Sequence, residues 1–167
     1  MGNRRRSREL AMQVLFSMDI HQNDSDELLD LYCQNFTPSE KVFSFFLELV
    51  NGVIHTKTQI DSIIERFSNN WKISRMSCVD RNVMRIAIYE MLFSDDIPLK
   101  VSINEAIDVG KKFGTEDSGA FINGISDSIR VAMEKDEIKV ETNISLEEQK
   151  TQQGGYYGNE KSSFTGG

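Results

Sequence analysis

Apolar residues recur every three or four positions along most of this chain, and this spacing restricts the possible folds more than any other feature. The first such stripe consists of Ala11, Val14, Leu15 and Met18. One face of an amphipathic helix has this period, whereas a half-buried strand alternates at every second residue. Only two prolines interrupt the 167 residues. The pattern therefore predicts an all-α protein, a compact bundle of about seven helices.

The apolar stripes divide the chain into seven predicted helices. They lie within residues 11–18, 28–36, 42–54, 60–67, 79–93, 102–114 and 121–133. Two pairs, Thr37 with Glu40 and Ser102 with Glu105, have the spacing of a capping box and predict where the third and sixth helices start. The stretch from 79 to 93 is apolar on most sides, so we expect it to be the central helix.

The helical pattern ends near residue 135. Residues 136–167 hold few large apolar groups and finish in runs of Gln, Gly and Ser, a composition that cannot bury enough surface to fold. We therefore predict one helical domain over 1–135 and a polar, disordered tail over 136–167. Tyr156, Tyr157 and Phe164 leave open a small partner-docking motif in that tail.

The sequence lacks the usual marks of membrane proteins and metal proteins. No segment approaches the roughly 18 consecutive apolar residues of a membrane helix, and the N-terminus has no apolar run like that of a signal peptide. Cys33 and Cys78 stand apart, with no nearby Cys or His to complete a metal site. We expect a cytoplasmic protein with reduced thiols, no metal and no cofactor.

No catalytic motif is evident either. His21 and His55 have no Ser, Cys or carboxylate at a spacing typical of a catalytic group. The run Gly110–Lys112 fails as a phosphate-binding loop, because Glu105 stands where that loop needs glycine and Lys112 where it needs Ser or Thr. We therefore expect a binding protein without enzymatic activity.

An arginine cluster opens a chain whose net charge is -7. It consists of Arg4, Arg5, Arg6 and Arg8. Positive charge at the start of a helix is unfavourable, which suggests a use for it. Arginine pairs with phosphates and stacks on bases, and Phe16 follows Arg8 by about two helical turns. The combination favours single-stranded RNA as the partner, with a solvated, frayed terminus as the alternative.

Several sequence blocks, in a fixed order, carry a resemblance to a known family. They are Arg4–Phe16, Asn70-Trp71 with Arg75, Asp80–Glu90, Ile97-Pro98, Val101–Ala106 and Phe121–Gly124. Over about residues 4–133 the chain resembles the NusB family of bacterial transcription antitermination factors. The resemblance implies two small helical bundles and a non-catalytic protein. It also implies binding to boxA-type single-stranded RNA of nascent rRNA transcripts, together with ribosomal protein NusE, which helps the transcribing RNA polymerase complex to pass terminators.

The resemblance also implies a set of RNA-binding residues. They are Arg4, Arg5, Arg6, Arg8, Phe16, Asp80, Arg85, Lys111, Asp117, Ser118 and Phe121. The arginines would neutralise phosphates, the aromatic rings would stack on unpaired bases, and the aspartates would accept hydrogen bonds from base amino groups. Asp80 and Asp117 are alternatively helix caps, and Phe121 is alternatively a core residue.

Two positions depart from the family pattern and two other functions remain open. Ala120 stands where many members have a basic residue, and Gly110 replaces the usual alanine, so we predict weaker RNA binding. One alternative is a helical protein-interaction adaptor without RNA specificity of its own. The other is an accessory domain for rRNA modification, because NusB-like domains occur in some rRNA cytosine methyltransferases. Family members occur as monomers and as dimers, so a homodimer is also possible.

Overall fold

The computed structural model describes residues 2–35 and 38–140, and their regular structure is helical throughout. The elements are α1 (Asn3–His21), α2 (Asp26–Gln34), α3 (Glu40–Phe67), a 3₁₀ turn (Ile73–Arg75), α4 (Cys78–Phe93), α5 (Leu99–Phe113) and α6 (Ser118–Glu134). The all-α prediction is confirmed, with six α-helices in the described ranges in place of about seven.

The third and fourth predicted helices are one continuous helix. Helix α3 runs for 28 residues, and its buried positions from Val42 to Ile64 keep a single helical face. Residues 55–59, which separate the two stripes, contain neither Gly nor Pro, so nothing in the sequence ends the helix there. The predicted break at Asn69 and Asn70 is confirmed. Both residues have positive φ, which asparagine adopts more readily than most residues.

The capping-box prediction for the sixth helix was wrong. Helix α5 begins at Leu99 with Pro98 as its N-cap, four residues before the predicted N-cap, Ser102. Ser102 lies inside the helix, and Glu105 pairs with Arg5 of α1 instead of with the backbone. The Ser102 Oγ donates a hydrogen bond to Glu90 of α4 at 3.4 Å. Both side chains of that box therefore contact other helices and do not cap α5. The other box also fails to mark its helix, because Ser39 is the N-cap of α3 and Glu40 is its first residue. Thr37 itself lies outside the described residues.

Helix α4 is the central element, as predicted. It packs against α1, α3, α5 and α6. Helices α1–α3 form one group and α4–α6 the other, which confirms the two sub-bundles. A close approach between the groups requires a glycine, because a Cβ on Gly52 of α3 would lie 2.1 Å from the Cζ of Tyr89 on α4.

Ion pairs fix the relative directions of α1, α4 and α5. Arg5 and Glu9 of α1 pair with Glu105 and Lys112 of α5, so these two helices run in parallel. Helix α1 runs antiparallel to α4, because Arg8 pairs near the end of α4 and Asp19 near its beginning. The later turns of α1 therefore meet the start of α4, close to the end of α5.

Helix α6 ends at Glu134, and residues 137–140 form no regular structure. The predicted tail lies beyond residue 140 for most of its length, outside the described residues, and stays a prediction. Among the helices that the structure describes, none is both long enough and apolar enough to cross a membrane.

Candidate nucleic-acid interface

The first turn of α1 carries arginines whose charges are met by carboxylates of other segments. Arg4 pairs with Asp96 in the turn before α5. Arg5 donates from Nε and Nη2 to the two oxygens of Glu105, at 2.6 and 2.9 Å, and from Nη2 to Asp108 at 2.7 Å. The hydrogen bond from Arg5 outweighs burial and lowers the pKa of Glu105. These carboxylates offset the unfavourable charge at the start of the helix.

Arg8 lies in the protein interior. Its Nε and Nη2 donate to the two oxygens of Glu90 at 2.9 and 2.6 Å. The side chains of Arg8 and Glu90 are only 6% and 1% exposed, and the guanidinium lies 5.4 Å from the centre of the Phe45 ring. Arg8 therefore joins α1 to α4 and does not face solvent, unlike the phosphate contact that the sequence led us to expect.

Arg85 is equally enclosed. Its Nε and Nη2 donate to Asp61 at 2.7 and 2.8 Å, and its Nη1 donates to Asp19 at 3.2 Å. Burial would raise the pKa of Asp19, but hydrogen bonds from Arg81 and Asn82 and the charge of Arg85 outweigh it, and the pKa is lowered. Arg85 therefore holds α1, α3 and α4 together.

Asp80 lies in the first turn of α4 without acting as its cap. Ser77 is the N-cap, and its Oγ accepts a hydrogen bond from the backbone N–H of Asp80 at 3.1 Å. The Asp80 side chain is largely buried, and its Oδ1 has no hydrogen-bond partner within the described part of the chain. The capping alternative is therefore wrong, and one buried oxygen of this carboxylate is left without a partner in the described residues.

Phe16 is exposed where α1 meets the start of α4. Its side chain is 37% exposed, and its carbonyl oxygen lies 3.9 Å from the Sγ of Cys78, the first residue of α4. Ile20 follows one turn later and is 58% exposed. An accessible aromatic ring on a polar surface is suited to stacking on an unpaired base.

The end of α5 and the start of α6 bring together three further predicted residues. Lys111 is exposed, and its stem packs over Gly119. Asp117 occupies the N-cap position of α6 and is exposed, but its side chain makes no capping hydrogen bond. Ser118 is buried, and its Oγ accepts a hydrogen bond from the N–H of Thr115 at 2.9 Å. Ser118 therefore shapes the turn, while Lys111 and Asp117 remain accessible.

Phe121 packs edge to face against Trp71, with ring centroids 5.6 Å apart and an interplanar angle of 70°. Phe121 is partly buried and Trp71 is 48% exposed. Sequence reasoning used Trp71 only as part of a family block and missed it as a site residue. Trp71 is the single tryptophan of the chain, and it directly follows two asparagines that end a helix. These two features could have marked it as an exposed aromatic residue at the site.

Glu9 and Lys112 were also missed. Glu9 is 1% exposed. Its Oε1 accepts a hydrogen bond from the Nζ of Lys112 at 2.9 Å, and its Oε2 lies 3.5 Å from the Nη1 of Arg6. No local pattern could have shown this contact, because Glu9 and Lys112 are 103 residues apart in sequence.

The start of α4, the end of α5 and the start of α6 lie at one end of the helical bundle, beside α1. The accessible groups here form what we call the candidate face, to which we add the buried Asp80 at the start of α4 and Arg6, which lies in the first turn of α1 and is linked to Lys112 through Glu9. It consists of Arg6, Phe16, Trp71, Asp80, Lys111, Lys112, Asp117 and Phe121. In the ranges 2–35 and 38–140, no group of three or more His, Cys, Asp or Glu residues could hold a metal ion. The face combines cations, aromatic rings and carboxylates, which is the chemistry of nucleic-acid recognition.

Comparison with known proteins identifies the family. The model of the NusB family matches residues 5–130. The chain belongs to the NusB family. The transcription antitermination protein NusB of Desulfatibacillum aliphaticivorans is 58% identical over 137 residues, which cover 82% of this chain and 96% of that protein.

Solved NusB structures share the fold. T. maritima NusB is 36% identical, with a TM-score of 0.69 over 81% of this chain and 97% of that chain. A crystal structure of the antitermination factors NusB and NusE in complex with dsRNA contains a chain that is 27% identical, with a TM-score of 0.70 over 79% of this chain and 98% of that chain.

Within this NusB fold the eleven predicted RNA-binding residues fall into three groups. Five have accessible or partly accessible side chains without a strong internal pair: Arg6, Phe16, Lys111, Asp117 and Phe121. Arg4 and Arg5 are paired with carboxylates at the surface. The side chains of Arg8, Asp80, Arg85 and Ser118 are buried. Asp80, Lys111, Asp117 and Phe121 thus lie where α4 and α6 begin and α5 ends, and Phe16 lies beside the first residue of α4. Arg6 lies in the first turn of α1 and is linked to the end of α5 through Glu9 and Lys112. The other residues hold the helices or shape a turn.

Proposed function

We propose that this NusB-family chain is a non-catalytic transcription antitermination factor. It binds boxA-type single-stranded RNA of nascent rRNA transcripts together with ribosomal protein NusE, and it helps RNA polymerase to pass terminators. The relative from Desulfatibacillum aliphaticivorans, whose name is transcription antitermination protein NusB, supports the proposal because 96% of its length is matched. We expect the protein to act in the cytoplasm, where bacterial RNA is transcribed.

The observation that carries the proposal is the exposed aromatic surface beside cations on the candidate face. Phe16 and Trp71 are 37% and 48% exposed, although large aromatic groups are normally buried. Base stacking on such rings contributes about 1–3 kcal/mol per base. Lys111, whose stem packs over Gly119 two residues before Phe121, supplies charge for the phosphates beside the stacked bases.

The exposed carboxylate of Asp117 supports base-specific recognition. A carboxylate repels phosphates, so in an RNA site it contributes only where it accepts a hydrogen bond from a base amino group. The Asp117 side chain is exposed and is not used as a cap. The Oδ1 of Asp80 also lacks a partner in the described ranges, but this oxygen is buried, so of the two aspartates Asp117 is the one accessible to a base.

The charge distribution explains why a protein partner is needed. The net charge is -7, and surface carboxylates already hold Arg4 and Arg5. Few cations remain for RNA, so the chain alone binds weakly and non-specific attraction is small. NusE would add RNA contacts and raise the affinity of the complex by enlarging the bound surface.

The test is a binding titration with boxA-like single-stranded RNA, a scrambled RNA of equal length and the boxA-like sequence as a duplex, each with and without NusE. Trp71, as the single tryptophan, gives a fluorescence signal from the candidate face itself when NusE lacking tryptophan is used. We expect the boxA-like single strand to bind most tightly, with the largest gain from NusE and a change in Trp71 emission.

Equal binding of boxA-like and scrambled RNA with NusE present would contradict the proposal. A strong complex with NusE that ignores RNA altogether would instead support the protein-interaction adaptor. Loss of rRNA methylation on deleting the gene would support the accessory-domain alternative.

A further inference from the structure

Carboxylates do not neutralise all cations in and near the arginine cluster to the same extent. Three arginines, Arg4, Arg5 and Arg8, are met by four carboxylates, those of Asp96, Glu105, Asp108 and Glu90. Around Glu9 the balance is reversed, because two cations, Arg6 and Lys112, share a single carboxylate. This group therefore carries an excess positive charge beside the arginine cluster.

Glu9 is an unusual partner for surface cations. Its side chain is 2% exposed, whereas those of Arg6 and Lys112 are each 49% exposed. Its Oε2 is buried and has no hydrogen-bond partner in residues 2–35 and 38–140, although Arg6 lies 3.5 Å away. A buried carboxylate is costly unless cations compensate it. Glu9 therefore holds the two cations close to each other from below while their outer surfaces remain open.

The Lys112 ammonium is restrained from a second side. Besides its hydrogen bond to Glu9, the Nζ lies 5.3 Å from the centre of the Phe113 ring. A restrained lysine loses less side-chain entropy when it binds a further group. The paired cations are therefore prepared for an anion that reaches both of them.

We propose that Arg6 and Lys112 jointly bind one phosphate of the RNA backbone, and that Glu9 acts as a positioning residue that keeps the two cations together. Two adjacent cations match the two non-bridging oxygens of a phosphodiester, and both belong to the candidate face, with Phe16 further along α1. The inference rests on the proposed function and assigns Lys112 and Glu9 roles that the sequence did not indicate.

The first experiment measures the salt dependence of binding to boxA-like single-stranded RNA by the full chain with NusE. Lys112→Gln and Arg6→Gln are each expected to weaken binding by about five- to ten-fold, as the loss of a charge-assisted contact does. If both cations serve one phosphate, the double variant lowers the log-log salt slope by about 0.7, the value for one single-strand phosphate. Lys100→Gln, an exposed lysine at the opposite end of α5, is the matched control and is expected to bind as the unaltered chain does.

The second experiment uses Glu9→Gln, which keeps the size of the side chain and removes a negative charge from the RNA-binding region. Simple charge repulsion predicts tighter RNA binding by this variant. Positioning predicts the opposite, binding about five-fold weaker, because the cations are no longer held together. Glu9→Asp, which restores the charge, is expected to recover part of the affinity. Circular dichroism and thermal melting establish that each variant is folded, and the Lys112→Gln arm decides the matter if Glu9→Gln is not.

The outcomes separate this inference from the proposed function. Specific binding of boxA-like RNA that is unchanged in Lys112→Gln overturns the shared phosphate site and leaves the function intact. A double-variant slope reduced by about 1.4 means two separate phosphates and also overturns the sharing. Tighter binding by Glu9→Gln overturns the positioning role. Absence of RNA binding by the unaltered chain with NusE overturns both proposals together.

Discussion

Replacing Arg8 and Glu90 by methionine, singly and together, tests whether the arginine cluster serves the fold as well as the RNA. Their side chains are 6% and 1% exposed and joined by two hydrogen bonds. Arg8→Met leaves the Glu90 carboxylate buried with little compensation. We expect a loss of about 3–5 kcal/mol in the free energy of unfolding, as for other broken buried pairs.

The double variant is expected to behave differently. Without either charge, the site becomes an apolar contact, and such replacements leave stability nearly unchanged or increase it. A small cavity lined by Arg8, Glu90 and Ser102, among others, adjoins the pair. Flexible methionines can repack into such a space and against the Phe45 ring. We therefore expect the double variant to lie within about 2 kcal/mol of the unaltered chain, which makes the coupling energy about 3 kcal/mol or more.

Urea unfolding of the four proteins in the cycle gives the coupling energy directly, and thermal melting gives a second readout. For a domain of this size the single Arg8→Met variant is expected to melt about 10–20 °C lower. RNA titration of the double variant, if folded, then shows whether Arg8 also contacts RNA. We expect an unchanged salt slope, whereas a lost phosphate contact would lower it by about 0.7.

Two results would refute this reasoning. A cost below about 1 kcal/mol for Arg8→Met would show that the pair behaves like an exposed one. A reduced salt slope in a stable double variant would show that Arg8 binds phosphate, as the family resemblance implies, by leaving Glu90 when RNA arrives.

Two further predictions concern packing and pH. Gly52→Ala is expected to destabilise the fold by about 1–3 kcal/mol in urea unfolding, because the new Cβ would overlap the Tyr89 ring. Gly124→Ala, with no atom within 4 Å of its Cβ, is the matched control and should stabilise α6 by about 0.5–1 kcal/mol. Stability should also fall as the pH drops below 4.5, the ordinary pKa of glutamate, because the hydrogen bond from Arg5 lowers the pKa of Glu105 in the folded state. The unfolded chain then takes up the proton first, so Glu105→Gln should lose less stability over this range.

Each of these predictions has a contrary outcome. A Gly52→Ala variant as stable as the unaltered chain would mean that the Tyr89 ring moves aside without a loss of stability. The close approach of α3 and α4 would then not require glycine at position 52. An equal acid dependence in Glu105→Gln and the unaltered chain would show that the pair with Arg5 contributes no stability at neutral pH.

The features that the sequence predicted well are those determined locally. Apolar spacing located the central helix to within one residue at its start, and Asn69 with Asn70 marked the end of α3. The errors arose where distant segments compete with local signals. Ser102 and Glu105 have the spacing of a capping box, but Glu105 pairs with an arginine 100 residues away.

The candidate site divides in the same way. Phe16, which follows the arginine cluster on the first predicted helix, and Lys111, which the family resemblance implies, are both exposed. Helical spacing places Arg8 on the buried face of α1, because it precedes Ala11 by three residues and Leu15 by seven. Its partner could not be predicted, because Glu90 lies 82 residues away. The same applies to Lys112, whose importance depends on the buried carboxylate beneath it.

The most direct test of the candidate face is ultraviolet crosslinking of boxA-like single-stranded RNA to the full chain, with and without NusE, with the crosslinked residues mapped by mass spectrometry. We predict crosslinks at Phe16, at Trp71 or Phe121, and at Lys111 or Lys112, all strengthened by NusE and absent with scrambled RNA. Crosslinks confined to α2 and the outer surface of α3, or equal labelling with both RNAs, would contradict the assignment of this face to RNA.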